Sequence, residues 1–178
     1  MSIRITGGEF KGHKIPTVSG RIRPTAARVR QALFDILGDI EGLSFVDLYA
    51  GTGAVGIEAA SRGANPVIFV ESDKRAARKI TEAVGRLDLP PKVARIRPVS
   101  VLRFINNTKT ASDIIFADPP YITNKLKELA TLLPSIIGHL SPCGFFVLQL
   151  SVRITPPSGF NDSRIFGDDV LYFWHNSN

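Results

Sequence analysis

Cysteine is nearly absent from this chain of 178 residues: Cys143 stands alone, which excludes an intramolecular disulfide and a multi-cysteine zinc site. Histidine is scarce too, and His13, His139 and His175 are too scattered to form an obvious ligand cluster. No apolar run approaches the ~18 residues of a membrane span; the longest, such as Gly144 to Leu150, are far shorter. The opening MSIRITGGEF has no apolar leader segment, so a reducing, cytoplasmic setting is expected. Repeats, low-complexity tracts and inter-domain linkers are missing as well, and no Ser/His/Asp arrangement stands out. What remains is ordinary globular composition, 44% hydrophobic and 21% charged, which rules out disordered, collagen-like and coiled-coil chains. A chain of this length is expected to form one domain, with residues 1–40 as an N-terminal extension and 41–178 as the core. A domain near this size buries about 70% of its unfolded surface and needs no metal or disulfide to fold.

The net charge of +6 is unevenly placed. Residues 1–30 carry Arg4, Lys11, Lys14, Arg21, Arg23, Arg28 and Arg30 against one acid, Glu9, and the rest of the chain is neutral. A local excess of cations is the footprint of a polyanion-binding surface, because each neutralised phosphate releases a counterion. It is equally what a solvated basic face looks like, so the chemistry elsewhere in the chain has to decide.

Residues 1–20 alternate around Gly7-Gly8, between Ile3-Arg4-Ile5 and Glu9-Phe10-Lys11, which suggests a short hairpin arm. Thr25 can cap a helix from Ala26 to about Leu37, docking by the stripe Val29, Leu33, Ile36 and Leu37, with Gly38 near its end. From residue 44 short apolar runs (45–49, 67–70, 93–97, 113–117 and 145–150) alternate with helical segments at about 54–62, 73–87, 100–106 and 124–138. Residues 164–167 and 170–174, joined across Asp168-Asp169, read as a closing hairpin. The pattern predicts a doubly wound α/β domain, a mostly parallel sheet covered on both faces, with a basic N-terminal extension.

In such sheets ligands bind beyond the carboxyl ends of the strands. The first of those loops, Asp47-Leu48-Tyr49-Ala50-Gly51-Thr52-Gly53-Ala54-Val55-Gly56, is a strand, a glycine turn and a helix start. Glu71, 20 residues beyond Gly51, follows the second run and can accept both hydroxyl protons of a ribose. Taken literally this is a dinucleotide fingerprint, and an NAD-dependent dehydrogenase has to be weighed. Asp47 argues otherwise, since a carboxylate repels a pyrophosphate and attracts a cationic ligand. S-adenosylmethionine, with a sulfonium, an ammonium and a ribose but no phosphate, suits the set better. A core role for Asp47, accepting N–H bonds from the loop, is compatible with either ligand.

After the fourth run stands Asp118-Pro119-Pro120-Tyr121. Two prolines fix the backbone and remove two N–H donors, leaving a rigid ledge of acceptors. The Asp118 carboxylate and the Pro119 carbonyl can each accept a hydrogen bond from an exocyclic amino group, and Tyr121 offers a face on which a base stacks. The alternative is a strand-ending turn with a tyrosine. Beside a loop built for S-adenosylmethionine, the ledge implies methyl transfer to a base amino group, chemistry that needs no metal. Cys143, before Gly144, reads as a buried small residue, His139 as a partner of helix-end carbonyls, and Phe173 and Trp174 as packing residues.

Residues 5–12 (Ile-Thr-Gly-Gly-Glu-Phe-Lys-Gly), Arg23-Pro24-Thr25, Arg28-Val29-Arg30 and Phe34 resemble the opening of the bacterial 16S rRNA guanine-N2 methyltransferases. The resemblance continues through 47–64, Glu71, 118–121 and Phe166-Gly167, and so covers nearly the whole chain. It implies the Rossmann-like fold of S-adenosylmethionine-dependent methyltransferases, with a seven-stranded, mostly parallel sheet. It implies cofactor contacts from Asp47, Ala50, Gly51, Thr52, Gly53, Ala54, Gly56, Glu71, Ser72, Ser100 and Val101, and a base held by Asp118, Pro119, Pro120 and Tyr121. Arg4, Lys11, Lys14, Arg23, Thr25, Arg28 and Arg30 would meet RNA, in 16S rRNA or an assembling small subunit, and the enzyme would be a monomer. Three positions depart from the family's pattern: Ser100, often Asp or Asn in relatives; Gly85, often Asn; and Gln149, often Glu. Asp-Pro-Pro-Tyr also occurs in adenine-N6 DNA methyltransferases, which lack the opening segment. A non-catalytic RNA-binding or assembly protein that keeps the fold is the third alternative.

Overall fold

The computed structural model describes residues 2–16 and 26–176. It opens with β1 (Ser2–Arg4) and β2 (Lys14–Pro16), paired antiparallel with Ile3 opposite Ile15. The expected hairpin is present, but its second strand starts later than the alternation around Gly7-Gly8 suggests. Glu9 N–H donates to the Ser61 carbonyl (2.7 Å) and Phe10 N–H to Ser61 Oγ (2.9 Å), which takes this stretch out of any ladder. Gly8 makes the contact possible: at φ +74° it presses against the Ser61 carbonyl, where no Cβ fits.

Helix α1 (Ala27–Leu37) follows, and Thr25, its expected cap, lies outside the described residues, as does Arg23. Its buried face is Val29, Arg30, Leu33 and Phe34, while Ile36 is 44% exposed. The helix is therefore rotated from the expected stripe. A buried ion pair from Arg30 to Glu58 (3.2 Å) and the packing of Phe34 on Phe45 (ring centroids 6.0 Å) set that rotation.

The core runs β3 (Phe45–Leu48), α2 (Ala54–Ser61), β4 (Val67–Val70), α3 (Lys74–Arg86), β5 (Ala94–Arg97), α4 (Val101–Asn107), β6 (Ser112–Ala117), α5 (Thr123–Gly138), β7 (Leu140–Ser151), β8 (Asp162–Phe166) and β9 (Asp169–His175). The seven-stranded sheet has the order β5-β4-β3-β6-β7-β9-β8. β3 to β7 are parallel, β9 is antiparallel to β7, and the final hairpin closes the edge. Alternate residues serve opposite faces, as strand periodicity requires. Phe45, Phe69, Phe116 and Val147 pack under α1, α2 and α3; Val46, Val70, Ile115 and Phe146 pack under α4 and α5. Strand order reverses between β3 and β6, where Leu48 lies opposite Ala117, so the loops after these two strands open side by side.

Cys143 departs from expectation: it is exposed at φ +62°, in a distorted start to β7 where Gly144 rather than Cys143 is buried. His139 behaves as read, its Nδ1 lying 2.6 Å from the Ser135 carbonyl, and Phe173 and Trp174 are buried. No helix among the described residues is long and apolar enough to cross a membrane.

Candidate active site

The end of β3 is held by a carboxylate. Asp47 is 2% exposed and its Oδ2 accepts the Gly56 N–H (2.9 Å), which ties the strand to the first turn of α2. Burial, with the nearby charges of Asp118 and Glu71, pushes its carboxyl up from 3.8 to about 8, while the Gly56 bond offsets part of the effect. Between them the chain turns tightly. Tyr49 (φ +59°), Gly51 (φ +55°) and Gly53 (φ +74°) all take left-handed backbone, and Gly53 starts α2. Gly56 lies against the Phe69 ring, where a Cβ would overlap it. The glycines thus do what the pattern requires: two make the turn and one packs the helix onto the sheet.

Glu71, after β4, bridges two loops. Its Oε2 accepts the Gly51 N–H (2.8 Å) and its Oε1 the Asp73 N–H (2.7 Å). Asp73 caps α3 through the Arg75 and Ala76 N–H groups. Ser100 caps α4, with Oγ accepting the Arg103 N–H (3.2 Å). Glu71 and Ser100, which lock the loops after β4 and β5, also line the crevice.

A cavity of about 460 Å³ occupies the split between β3 and β6. Gly51, Glu71, Ser72, Ser100 and Val101 line one side, and Asp118, Pro119, Pro120 and Tyr121 the other. The structure therefore brings together the two halves read separately in the sequence. Pro119 is buried, and Tyr121, 47% exposed, stands at the mouth. Asp47, Ala50, Thr52, Gly53, Ala54 and Gly56 are not on the wall; they are buried and shape the loop from behind. Among the described residues, Ala26, Tyr49, Val70, Asp73, Lys125, Gln149 and Asp169 also line the cavity, and the sequence reading does not assign them to the site. Asp169, read as a turn residue, is the first residue of β9 and is 9% exposed. The signal available for it was a carboxylate opening the apolar run from Val170 to Trp174.

Among the described residues the wall is acidic: Glu71, Asp73, Asp118 and Asp169 face one cation, Lys125, itself paired with Glu128 (3.1 Å). Such a wall disfavours a pyrophosphate and favours a cationic ligand. Among the described residues no group of three or more His, Cys, Asp or Glu could hold a metal.

The foot of α1 reaches the cavity, since Ala26 lines it, while the hairpin lies along α2 as far as Ser61. Arg4, Lys11, Lys14 and Arg28 are exposed, and Arg28 also donates to the Phe166 carbonyl (3.2 Å). Arg30 is a correction to the expected RNA contacts: 1% exposed, it is bonded to Glu58 and donates to the Arg4 carbonyl (2.6 Å). Glu58 in α2 also accepts from Thr6 N–H (2.8 Å), Thr6 Oγ (2.7 Å) and Arg62 (3.2 Å). Burial pushes its carboxyl up, but the Thr6 bonds and the Arg30 charge outweigh that and hold it below the usual value. The hairpin is thereby seated on the helix that carries the glycine loop.

The strand order, the glycine loop with its acid one strand away, and the acidic crevice define the class of S-adenosylmethionine-dependent methyltransferases. A 16S rRNA N2 G1207 methyltransferase of Thermus thermophilus, solved with AdoMet and guanosine, shares the fold at TM-score 0.79 and 20% identity, over 98% of this chain and 49% of that one. A hypothetical protein of the same organism superposes at TM-score 0.84 with 34% identity, over 96% of this chain and 98% of its own. The ribosomal RNA small subunit methyltransferase D of Escherichia coli K12 is 35% identical over 133 residues, 74% of this chain and 66% of that protein. The family model described as conserved hypothetical protein 95 matches residues 3–173. The chain belongs to this family, that of the ribosomal RNA small subunit methyltransferases D.

Proposed function

We propose that the protein methylates the exocyclic N2 amino group of a guanine in 16S rRNA, as naked RNA or within an assembling small subunit in the cytoplasm, using S-adenosylmethionine. One observation carries the reading: the Asp118-Pro119 ledge and the Gly51–Glu71 loop pair line one cavity at the ends of neighbouring strands, with the foot of α1 at Ala26 on its wall.

The residues present fit the cofactor. Glu71 is fixed by two backbone N–H groups yet keeps lone pairs for ribose hydroxyls, Gly51 admits close approach, and the acidic wall suits a positive ligand. When bound, S-adenosylmethionine supplies an electrophilic methyl group on a sulfonium. The chain's own residues then have three tasks. Exposed Arg4, Lys11, Lys14 and Arg28 hold RNA phosphates while the target base leaves its stack. Tyr121 stacks on that base, a contact worth about 1–3 kcal/mol. The Asp118 carboxylate and the Pro119 carbonyl each accept a hydrogen bond from the N2 amino group, which localises the nitrogen lone pair and aims it across the crevice; one N–H remains in the product, and Asp118 takes the single proton that the methylated nitrogen releases. Positioning of this kind supplies about 7–11 kcal/mol in favourable cases.

Asp118→Ala tests the reading. Methyl transfer from labelled cofactor to small-subunit rRNA should fall to background while cofactor affinity stays within a few-fold of wild type. Undiminished transfer would remove Asp118 from the mechanism.

A further inference from the structure

Gln149 and Asp169 lie on the cavity wall without a part in the chemistry described so far. Gln149 follows Leu148, which pairs with Ala117, so Gln149 and Asp118 occupy equivalent positions on neighbouring strands. Gln149 is 3% exposed and Asp169 9%. Gln149 Nε2 donates to Asp169 Oδ1 (3.4 Å), and among the described residues that is the one hydrogen bond to this carboxylate. Gln149 Oε1 is buried with no hydrogen-bond partner. Because a carboxylate only accepts, it fixes the orientation of the amide, Nε2 toward Asp169 and Oε1 away. A buried acceptor lacking a donor calls for an explanation. Here the explanation lies in the wall as a whole. One Nε2 hydrogen of Gln149 is committed to Asp169, and the cavity wall beside the ledge is dominated by acceptors, from Asp118 and Pro119 to Asp169.

The ledge alone does not choose between bases, since the amino group of guanine or of adenine satisfies it equally. The neighbouring ring atom differs. Guanine carries N1–H beside its N2 amino group, a third donor, whereas adenine carries an unprotonated N1, an acceptor, beside its N6 amino group. We propose that the Asp169 carboxylate, oriented by Gln149, accepts the N1–H of the target guanine and is the specificity-determining group that admits guanine and rejects adenine. This rests on the function proposed above and deepens it. An adenine on the ledge would turn a ring lone pair toward a buried carboxylate, leaving two acceptors face to face. Sites built to bond an N–H reject analogues lacking it far more strongly than apolar pockets reject size variants.

The test uses 2-aminopurine, which keeps the amino group that is methylated but has no N1 proton. Small-subunit rRNA is prepared with guanosine or 2-aminopurine ribonucleoside at the mapped target position and, where naked RNA is not a substrate, reconstituted into subunits. Wild type should favour guanosine in kcat/KM by on the order of 10⁴-fold. Asp169→Ala should lower that ratio at least about 100-fold, with cofactor affinity, read on the same preparation, within a few-fold of wild type. A wild-type ratio near one, which needs no variant, or a ratio unchanged in Asp169→Ala, would overturn this inference alone. Absence of transfer to the guanosine substrate by cofactor-loaded wild type would overturn the methylation reading itself.

Discussion

Replacing Asp47 by asparagine in the cofactor-free protein isolates the electrostatics of the crevice floor. The carboxyl is pushed up from 3.8 to about 8 by burial first, then by the charges of Asp118 and Glu71. Between about pH 4 and pH 8 the folded protein therefore keeps a proton that the unfolded chain has released. The unfolded state binds fewer protons in that window, so wild-type stability falls as pH rises through it, by about 1.4 kcal/mol per unit for this one group. Asparagine does not titrate, and its carbonyl can still accept the Gly56 N–H now bonded at 2.9 Å. Subtracting the two stability curves cancels every other titration. The variant should gain about 2.7 kcal/mol on wild type between pH 5 and pH 7, and the gap should level off above about pH 8. Urea unfolding of both proteins at pH 5, 6, 7 and 9 reads this directly. Parallel curves would mean that Asp47 titrates normally, and the account of a desolvated carboxyl kept protonated beneath the cavity would be wrong.

Glu58→Gln leaves the Arg30 guanidinium buried without its counter-charge and should cost about 3–5 kcal/mol in chemical denaturation; a loss below 1 kcal/mol would show that the network does not anchor the hairpin. Because the Glu58 carboxyl is held below its usual value, its contribution is present at neutral pH and lost on acidification. Gly56→Ala drives a methyl group into the Phe69 ring, which should destabilise the fold by about 1–3 kcal/mol and weaken cofactor binding in titration calorimetry through the shifted Gly51 loop. A variant with wild-type stability would show that α2 can retreat freely. Tyr121→Ala removes a face that is 47% exposed at the cavity mouth, so stability should hold while kcat/KM for rRNA falls about 5- to 150-fold; an unchanged kcat/KM would place the base elsewhere.

Much of this architecture is legible in the chain because period and punctuation agree. The apolar runs at 45–49, 67–70 and 113–117 become β3, β4 and β6 within one residue at each end, and the glycines after β3 fall where left-handed backbone is needed. Both halves of the site were visible as local motifs, each following a strand. What was hidden depends on contacts far apart in sequence. Arg30 looks like one more cation of a basic arm until Glu58, 28 residues away, is seen to bury it. Ile36 fits an apolar stripe, but that ion pair and Phe34 rotate the helix away from it. Asp169 reads as a turn beside Asp168, and only the antiparallel pairing of β9 with β7 carries it to the cavity beside Gln149. Cys143 shows the converse, since the bend that exposes it comes from the irregular entry to β7 rather than from residue type.

The central claim, that the ledge after β6 presents a guanine N2 amino group to S-adenosylmethionine, is tested most directly by product chemistry. Deproteinised rRNA and small subunits lacking the modification are incubated side by side with the protein and isotopically labelled cofactor, then digested to nucleosides and resolved by mass spectrometry. The account predicts label in N2-methylguanosine, mapping to one position of 16S rRNA in at least one of the two substrates. Label in N6-methyladenosine, or no label in either while the cofactor is bound, would contradict it.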